Sequence, residues 1–365
     1  MKDKKQMLEE VVERLSRTAE EIRDAIPYVA KKNTYDDYSI RPSWWTNGFY
    51  PGILWHLYEY TKNDRFDFLA RAVEEKLDPV LDAFVDVDHD AGFIWHISRV
   101  RDYILTGDKR SRIQGLKAGS FLASRFNPSC RYIRAWNGDW AKGHSIIDSL
   151  MNLPLLYWCS KELEDNRFYN IAVQQADISC EEFVRKDGSV FHIVVFDDEK
   201  RIRSGQRYGQ GYSEFSSWAR GTAWALYGLA VSYKHTGDAK YLQTSCRVAQ
   251  FIMKHMPPDY VPFADYLAPD EPLRKKDSSA GAITACGFLL LGRLTGDAKY
   301  TEYADKILDG LYDTCFAPEN SQAVLLHGNI AYHAEDPAER DISIIYGDYF
   351  FLEALMMRQG YHEYF

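Results

Sequence analysis

The sequence predicts an all-α fold, an (α/α)6 barrel or six-hairpin toroid, and three observations predict it. One turn signal recurs at Thr106-Gly107-Asp108, Thr236-Gly237-Asp238 and Thr295-Gly296-Asp297, with degenerate copies at Lys62-Asn63-Asp64 and Leu163-Glu164-Asp165. The helices on its two sides differ in kind, apolar nearly all round before it and one-faced after it. No Pro/Gly/Ser-rich or low-complexity stretch divides the 365 residues, so a single domain over 1–365 is expected.

The one-faced helices begin near Lys5, Asp64, Asp108, Asp165, Asp238 and Asp297. After Asp64 the apolar positions are Phe66, Leu69, Ala70, Val73 and Leu77; after Asp297 they are Tyr300, Tyr303, Ala304, Ile307, Leu308 and Leu311. Such spacing buries one stripe and leaves the other wet, which marks the outer ring. The Asp of each signal is expected to cap the helix that follows, and the preceding Gly to close the one before.

The second kind of helix is expected at 48–60, 92–105, 146–160, 219–235, 281–294 and 348–357. Stretches such as GAITACGFLLLGRL and ARGTAWALYGLAVSYKH carry small or apolar residues on every side and belong to the interior. Since each inner helix follows an outer one, all six inner helices run the same way. Their N-termini then share one rim.

Composition narrows the function. A net charge of -9 gives no basic stripe for nucleic acid. The six cysteines form no CxxC pair, and several fall on apolar helical faces, so neither disulfides nor zinc are expected. The charged N-terminus lacks an apolar leader and no membrane-length run is read, which points to a cytoplasmic protein without membrane contact. Asp86, Asp88 and Asp90 mimic the start of an EF-hand, but Ala91 stands where the loop glycine belongs and Ile97 where the bidentate Glu belongs. With no HExxH, GxSxG or phosphate loop, neither metal nor cofactor is expected.

The rim collects chemistry instead. Before or at the starts of the inner helices stand Trp44-Trp45-Thr46-Asn47, His89-Asp90, His144 with Asp148, Trp218 with Arg220 and Trp224, Asp277, and Tyr346 with Asp348. Helix N-termini favour an anionic ligand, and the 15% aromatic content supplies flat faces that suit sugars. Together they outline a site for an acidic carbohydrate. Singly, each has a bland reading: Asp90 or Asp148 as an N-cap, His144 as a satisfied loop histidine, Trp218 as core filling.

The rim residues sit in longer motifs: SWWTNGFYPGILWHLYE at 43–59, HDAGF at 89–93, IIDSLMNLPLLYW at 146–158, HIVVFD at 192–197, GQGYSEFSSWARGTAWALYG at 209–228, DSSAGAITACG at 277–287 and YGDYFFLEAL at 346–355. In order, across nearly the whole chain, they resemble the unsaturated glucuronyl hydrolases of glycoside hydrolase family 88. The resemblance implies a substrate made by polysaccharide lyases, a di- or oligosaccharide ending in a 4,5-unsaturated uronic acid. It also implies hydration of the C4=C5 enol ether rather than attack at the anomeric carbon.

By motif match Asp148 is the general acid and base, which calls for a raised pKa. Asp90 is the second acid, expected to grip sugar hydroxyls and to raise Asp148 by like charge. The resemblance carries substrate contacts to His192, Gln210, Arg220 and Trp224, with Trp136 and Trp44 or Trp45 as stacking platforms. His89 and Trp218 complete the expected binding set, and Arg220 is expected to pair with the uronate through its planar fork. A Ser-x-x-Ser-x-Lys segment near the C-terminus, linked in some relatives to 6-sulfate recognition, is missing, since the last Ser is Ser343 and the last Lys is Lys306. A monomer or weak homo-oligomer is expected. The alternatives are an unsaturated rhamnogalacturonyl hydrolase, a sugar 2-epimerase and an inactive sugar-binding protein on the same barrel.

Overall fold

The computed structural model describes residues 2–84 and 86–365. Twelve rods form two rings. The outer ring holds α1 (Lys4–Ile22), α3 (Asp64–Ala83), α6 (Lys109–Ser124), α8 (Asn166–Ile178), α10 (Ala239–His255) and α12 (Ala298–Cys315). The inner ring holds α2 (Phe49–Thr61), α7 (Ser149–Leu163), α9 (Ala219–Thr236), α11 (Ser278–Thr295) and α13 (Ile345–Arg358). Its remaining rod is α4 (Ala91–Trp95), a π turn (His96–Val100) and α5 (Arg101–Thr106) in one line.

Every letter of the recurring turn has a job. The Thr106, Thr236 and Thr295 hydroxyls donate to carbonyls four residues back and accept the amide of the following Asp. Gly107, Gly237 and Gly296 take the left-handed conformation that ends the inner helix. Asp108, Asp165, Asp238 and Asp297 accept the first free amides of the outer helix, at 2.8 to 3.1 Å. In the degenerate copy the cap is Asn63 rather than Asp64, its Oδ1 accepting from Arg65 N at 3.1 Å, while Lys62 holds the left-handed position.

Three expected starts move by three residues, and the one expected at 281 lies at Ser278. The rod expected at 146–160 starts as a strand, β5 (His144–Ile146), and turns helical only at Ser149, so Asp148 stands at the helix entrance rather than inside its first turn. The rod expected at 348–357 starts earlier, at Ile345, which brings Tyr346 into the first turn. Contrary to the sequence reading, α11 is long and apolar enough to cross a bilayer, but 83% of its 18-residue window is buried within the protein.

Short strands edge the rim. β5 pairs with β6 (Ile193–Asp197), which pairs with β7 (Ile202–Arg207); β1 (Val29–Lys31) lies between β2 (Thr34–Tyr35) and β8 (Ser343–Ile344); β3 (Phe126–Asn127) pairs with β4 (Tyr132–Ile133). One hydrophobic cluster extends from Met7 to Phe365. At the end opposite the rim, Phe365 packs on Phe350 (centroids 5.7 Å apart) and Tyr364 stacks on His56 (3.7 Å), which fills the barrel there.

Candidate active site

The rim encloses a cavity of about 960 Å³. Trp44, Trp45, Asp90, Trp136, Asp148, Gln210, Trp218 and Arg220 all line it, although they come from segments far apart in the chain. Three other expected residues do not form its wall. Trp224 lies four residues after Arg220, about one turn or ~6 Å deeper. Fully buried between Phe93 (5.1 Å) and Phe350 (5.3 Å), it lies beneath the wall, with its Nε1 unpaired among the described residues. His89 and His192 stand directly behind the two carboxylates.

Backbone pairing sets the central geometry. The β5–β6 ladder runs His144↔Val195, Ser145↔Val194, Ile146↔Ile193, and continues as Ile147 N donating to His192 O at 3.0 Å. One residue further, Asp148 faces His192, with Nε2 3.6 Å from Oδ2. Both Asp148 and Asp90 occupy N-cap positions, yet neither side chain makes a cap hydrogen bond, which excludes the bland reading for both.

Asn152 ties the two acids together. Its Nδ2 donates to Asp90 Oδ1 (3.2 Å) and to the Asp148 carbonyl (3.2 Å), and its Oδ1 accepts from Phe93 N (2.9 Å). A Cβ at residue 92 would lie 2.5 Å from Asn152 Cα, so Gly92 is what lets the two inner rods approach. Sequence reasoning assigned Asn152 no role; its place one turn after Asp148 in the same motif was the available signal.

The electrostatics reverse one expectation. Burial pushes Asp148 up, but His192, assisted by His89 and Arg220, outweighs burial and holds its carboxyl below the usual range. Burial, reinforced by the Asp88 and Asp148 charges, drives Asp90 well above the usual range. Asp88, His89 and Asp90 place their polar atoms within 4.8 Å of one another, which explains how strongly Asp90 feels its neighbours. Asp148 therefore raises Asp90, rather than the reverse.

Arg220 is also not a free fork. Its Nη1 donates to Asp277 Oδ2 (2.9 Å) and Asn329 O (2.5 Å), and its Nη2 to Ile330 O (2.9 Å). Of the five guanidinium N–H groups, one on Nε and one on Nη2 remain for a ligand. Asp277 is thus an anchor for Arg220 and the cap of α11, and Asp348 turns away from the cavity to accept from Tyr35 and the amides of Val324 and Leu325. Trp218 packs on His192 (4.2 Å) and under Arg220 (4.4 Å), a spacer between those two groups more than an open platform.

What is left unpaired defines what the site wants. Asp148 Oδ2, His192 Nε2, Arg220 Nε, Trp218 Nε1, Trp44 Nε1 and Tyr346 OH are all buried with no hydrogen-bond partner among the described residues. Buried polar atoms are rarely left so; five of the six belong to residues lining the cavity and the sixth, on His192, faces Asp148, which fits a ligand dense in hydroxyl and carboxylate oxygens.

Comparison with known proteins agrees. A family model described as Glycosyl Hydrolase Family 88 matches residues 9–235. The unsaturated glucuronyl hydrolase of Bacillus sp. (strain GL1) is 34% identical over 323 residues, 86% of this chain and 85% of that protein. The unsaturated chondroitin disaccharide hydrolase of Streptococcus pneumoniae (strain ATCC BAA-255 / R6) is 32% identical, covering 96% of this chain and 90% of its own length. A solved UGL variant with dGlcA-Glc-Rha-Glc superposes with a TM-score of 0.92 at 30% identity, over 97% of this chain and 96% of that one. Double-ring barrel, rim motifs and family match coincide: the chain belongs to glycoside hydrolase family 88.

Proposed function

We propose that this glycoside hydrolase releases the 4,5-unsaturated uronic acid from the non-reducing end of lyase-generated oligosaccharides of the glycosaminoglycan type. The carrying observation is the pair of buried carboxylates, Asp90 and Asp148, tied through Asn152, facing one cavity and shifted in opposite directions. Relatives named for unsaturated glucuronyl and unsaturated chondroitin disaccharide hydrolysis support the substrate class.

The uronate carboxylate enters beside Arg220, where Nε and one Nη2 proton are free to meet it. Its negative charge offsets the pull of Arg220 and His192 on Asp148, and the sugar displaces water, so Asp148 takes up a proton as the substrate seats. Asp148 gives that proton to C4 of the enol ether, leaving an oxocarbenium centre at C5. Water adds to C5, and Asp148, now a carboxylate, accepts the proton released by that water. The C5 hemiketal opens, and the resulting C1 hemiacetal collapses to expel the aglycone as an alcohol. One water is consumed, Asp148 is left protonated, and it returns to solvent the proton it took up as the product leaves.

The raised pKa of Asp90 favours a second reading in which Asp90 donates to C4 and Asp148 acts only as base. Either reading needs the double bond. The test is therefore an unsaturated uronyl disaccharide against its saturated counterpart: only the unsaturated one is turned over, whereas comparable hydrolysis of the saturated one means ordinary attack at C1.

A further inference from the structure

Two indoles lead outward from the carboxylate pair. Trp136, half-buried, stands edge-on to His89 with centroids 6.3 Å apart, and Trp140 lies against Trp136 at 5.3 Å with the planes 27° apart. Trp140 is 69% exposed yet lines the same cavity as Asp148. A large aromatic left that open gains little from burial, so folding alone gives no reason for it to be there.

The loop beneath is built to hold it. Arg134 Nη2 donates to the carbonyls of Asn137 (2.8 Å) and Gly138 (2.7 Å), Arg125 Nη1 donates to Asn137 Oδ1 (2.6 Å), and Asn137 Nδ2 donates to Val87 O (2.8 Å). Gly138 completes the seat: a Cβ there would come within 2.3 Å of Trp140 Nε1, so the indole edge rests on bare backbone. A flat apolar face fixed before the ligand arrives loses little entropy on binding, and such faces meet the C–H side of a sugar ring. The cavity, at about 960 Å³, lies at the upper end of the roughly 300–1,000 Å³ of small-molecule sites, leaving length beyond the reacting ring and its first neighbour.

We propose that Trp140 is an outer sugar platform, seating the second sugar beyond the scissile bond, so that unsaturated tetrasaccharides gain an interaction that disaccharides lack. This rests on the uronyl hydrolase reading above. The ladder Asp90–His89–Trp136–Trp140 gives the direction in which the aglycone chain leaves the site. The sequence gives this residue no motif, and its role emerges only from the shared wall and the stacked pair.

The experiment measures kcat/KM for an unsaturated disaccharide and an unsaturated tetrasaccharide of the same linkage series with wild type, Trp140→Ala and Trp140→Phe. The tetrasaccharide-to-disaccharide ratio falls about five- to tenfold in Trp140→Ala, the size of one stacking contact, and Trp140→Phe keeps most of it. Gly138→Ala, which pushes the indole off its seat, lowers the ratio in the same direction. A ratio unchanged in Trp140→Ala, or lost equally in Trp140→Phe, overturns the platform. Wild-type inactivity on both substrates is a different result and overturns the uronyl hydrolase reading on which the platform rests.

Discussion

His192 Nε2 stands 3.6 Å from Asp148 Oδ2, and the other side of the same ring is held by backbone: Gln210 N donates to Nδ1 at 3.1 Å. A ring that accepts at Nδ1 carries a proton on Nε2, aimed at Asp148, which favours the ionised carboxylate. The Tyr208 carbonyl, 3.2 Å from Nδ1, would pair with the opposite tautomer.

Gly209 makes that contact possible. Its φ is +56°, and a Cβ there would lie 2.2 Å from His192 Nδ1. Gly209→Ala is expected to displace the imidazole and lower kcat/KM at least about tenfold, while adding roughly 1 kcal/mol of backbone strain. Steady-state kinetics with a thermal melt separates the two effects; wild-type kinetics would remove His192 from the account.

Binding is expected to take up a proton. Asp148 is held low in the free protein, and a bound uronate raises it, so between those two values the complex holds the proton and the free protein does not. Calorimetry of a saturated uronyl disaccharide at neutral pH, repeated in buffers of different ionisation enthalpy, should report net uptake by wild type and none by Asp148→Asn. Equal uptake by both would place the proton elsewhere.

Arg220→Lys keeps the charge and loses the geometry. A lysine cannot serve Asp277, Asn329 O and Ile330 O together and still meet a carboxylate. A fall of about 10- to 100-fold in kcat/KM is expected, carried mainly by KM, with a melting temperature several degrees lower because Asp277 loses a buried partner.

Asp348 predicts a pH dependence of stability. Burial lifts it to about 6, against an ordinary value of 3.8, despite three hydrogen bonds that favour its charge. A raised carboxyl binds its proton more tightly when folded, so its contribution is full below pH 3.8 and is lost as pH rises through about 6. That amounts to about 3 kcal/mol. Thermal melts from pH 4 to 7 should show this decline in wild type and a flatter profile in Asp348→Asn.

The parts of the fold written in local chemistry could be read from the sequence. Thr-Gly-Asp turns and one-faced helices depend on residues within a turn of one another, and six inner N-termini on one rim follow from alternation alone. Asp90, Asp148 and Arg220 were legible as a group for that reason. Contacts made across the chain were not: Arg220 is anchored by a loop more than 100 residues away, and β5 meets β6 about 47 residues later, so neither leaves a periodic trace. Trp224 stands one helical turn below the cavity wall, a depth that motif wording cannot register. The order of the two acids turned on His192 and His89, which stand behind the carboxylates, and on Asp88, which lines the cavity beside Asp90.

The most direct measurement follows the ultraviolet absorbance of the C4=C5 enol ether in an unsaturated uronyl disaccharide mixed with wild type and with Asp148→Asn. The account predicts steady loss of the chromophore with wild type and a rate lower by at least the roughly 10²- to 10⁴-fold of general acid–base catalysis with the variant. An Asp148→Asn protein that consumes the double bond at nearly the wild-type rate would contradict it.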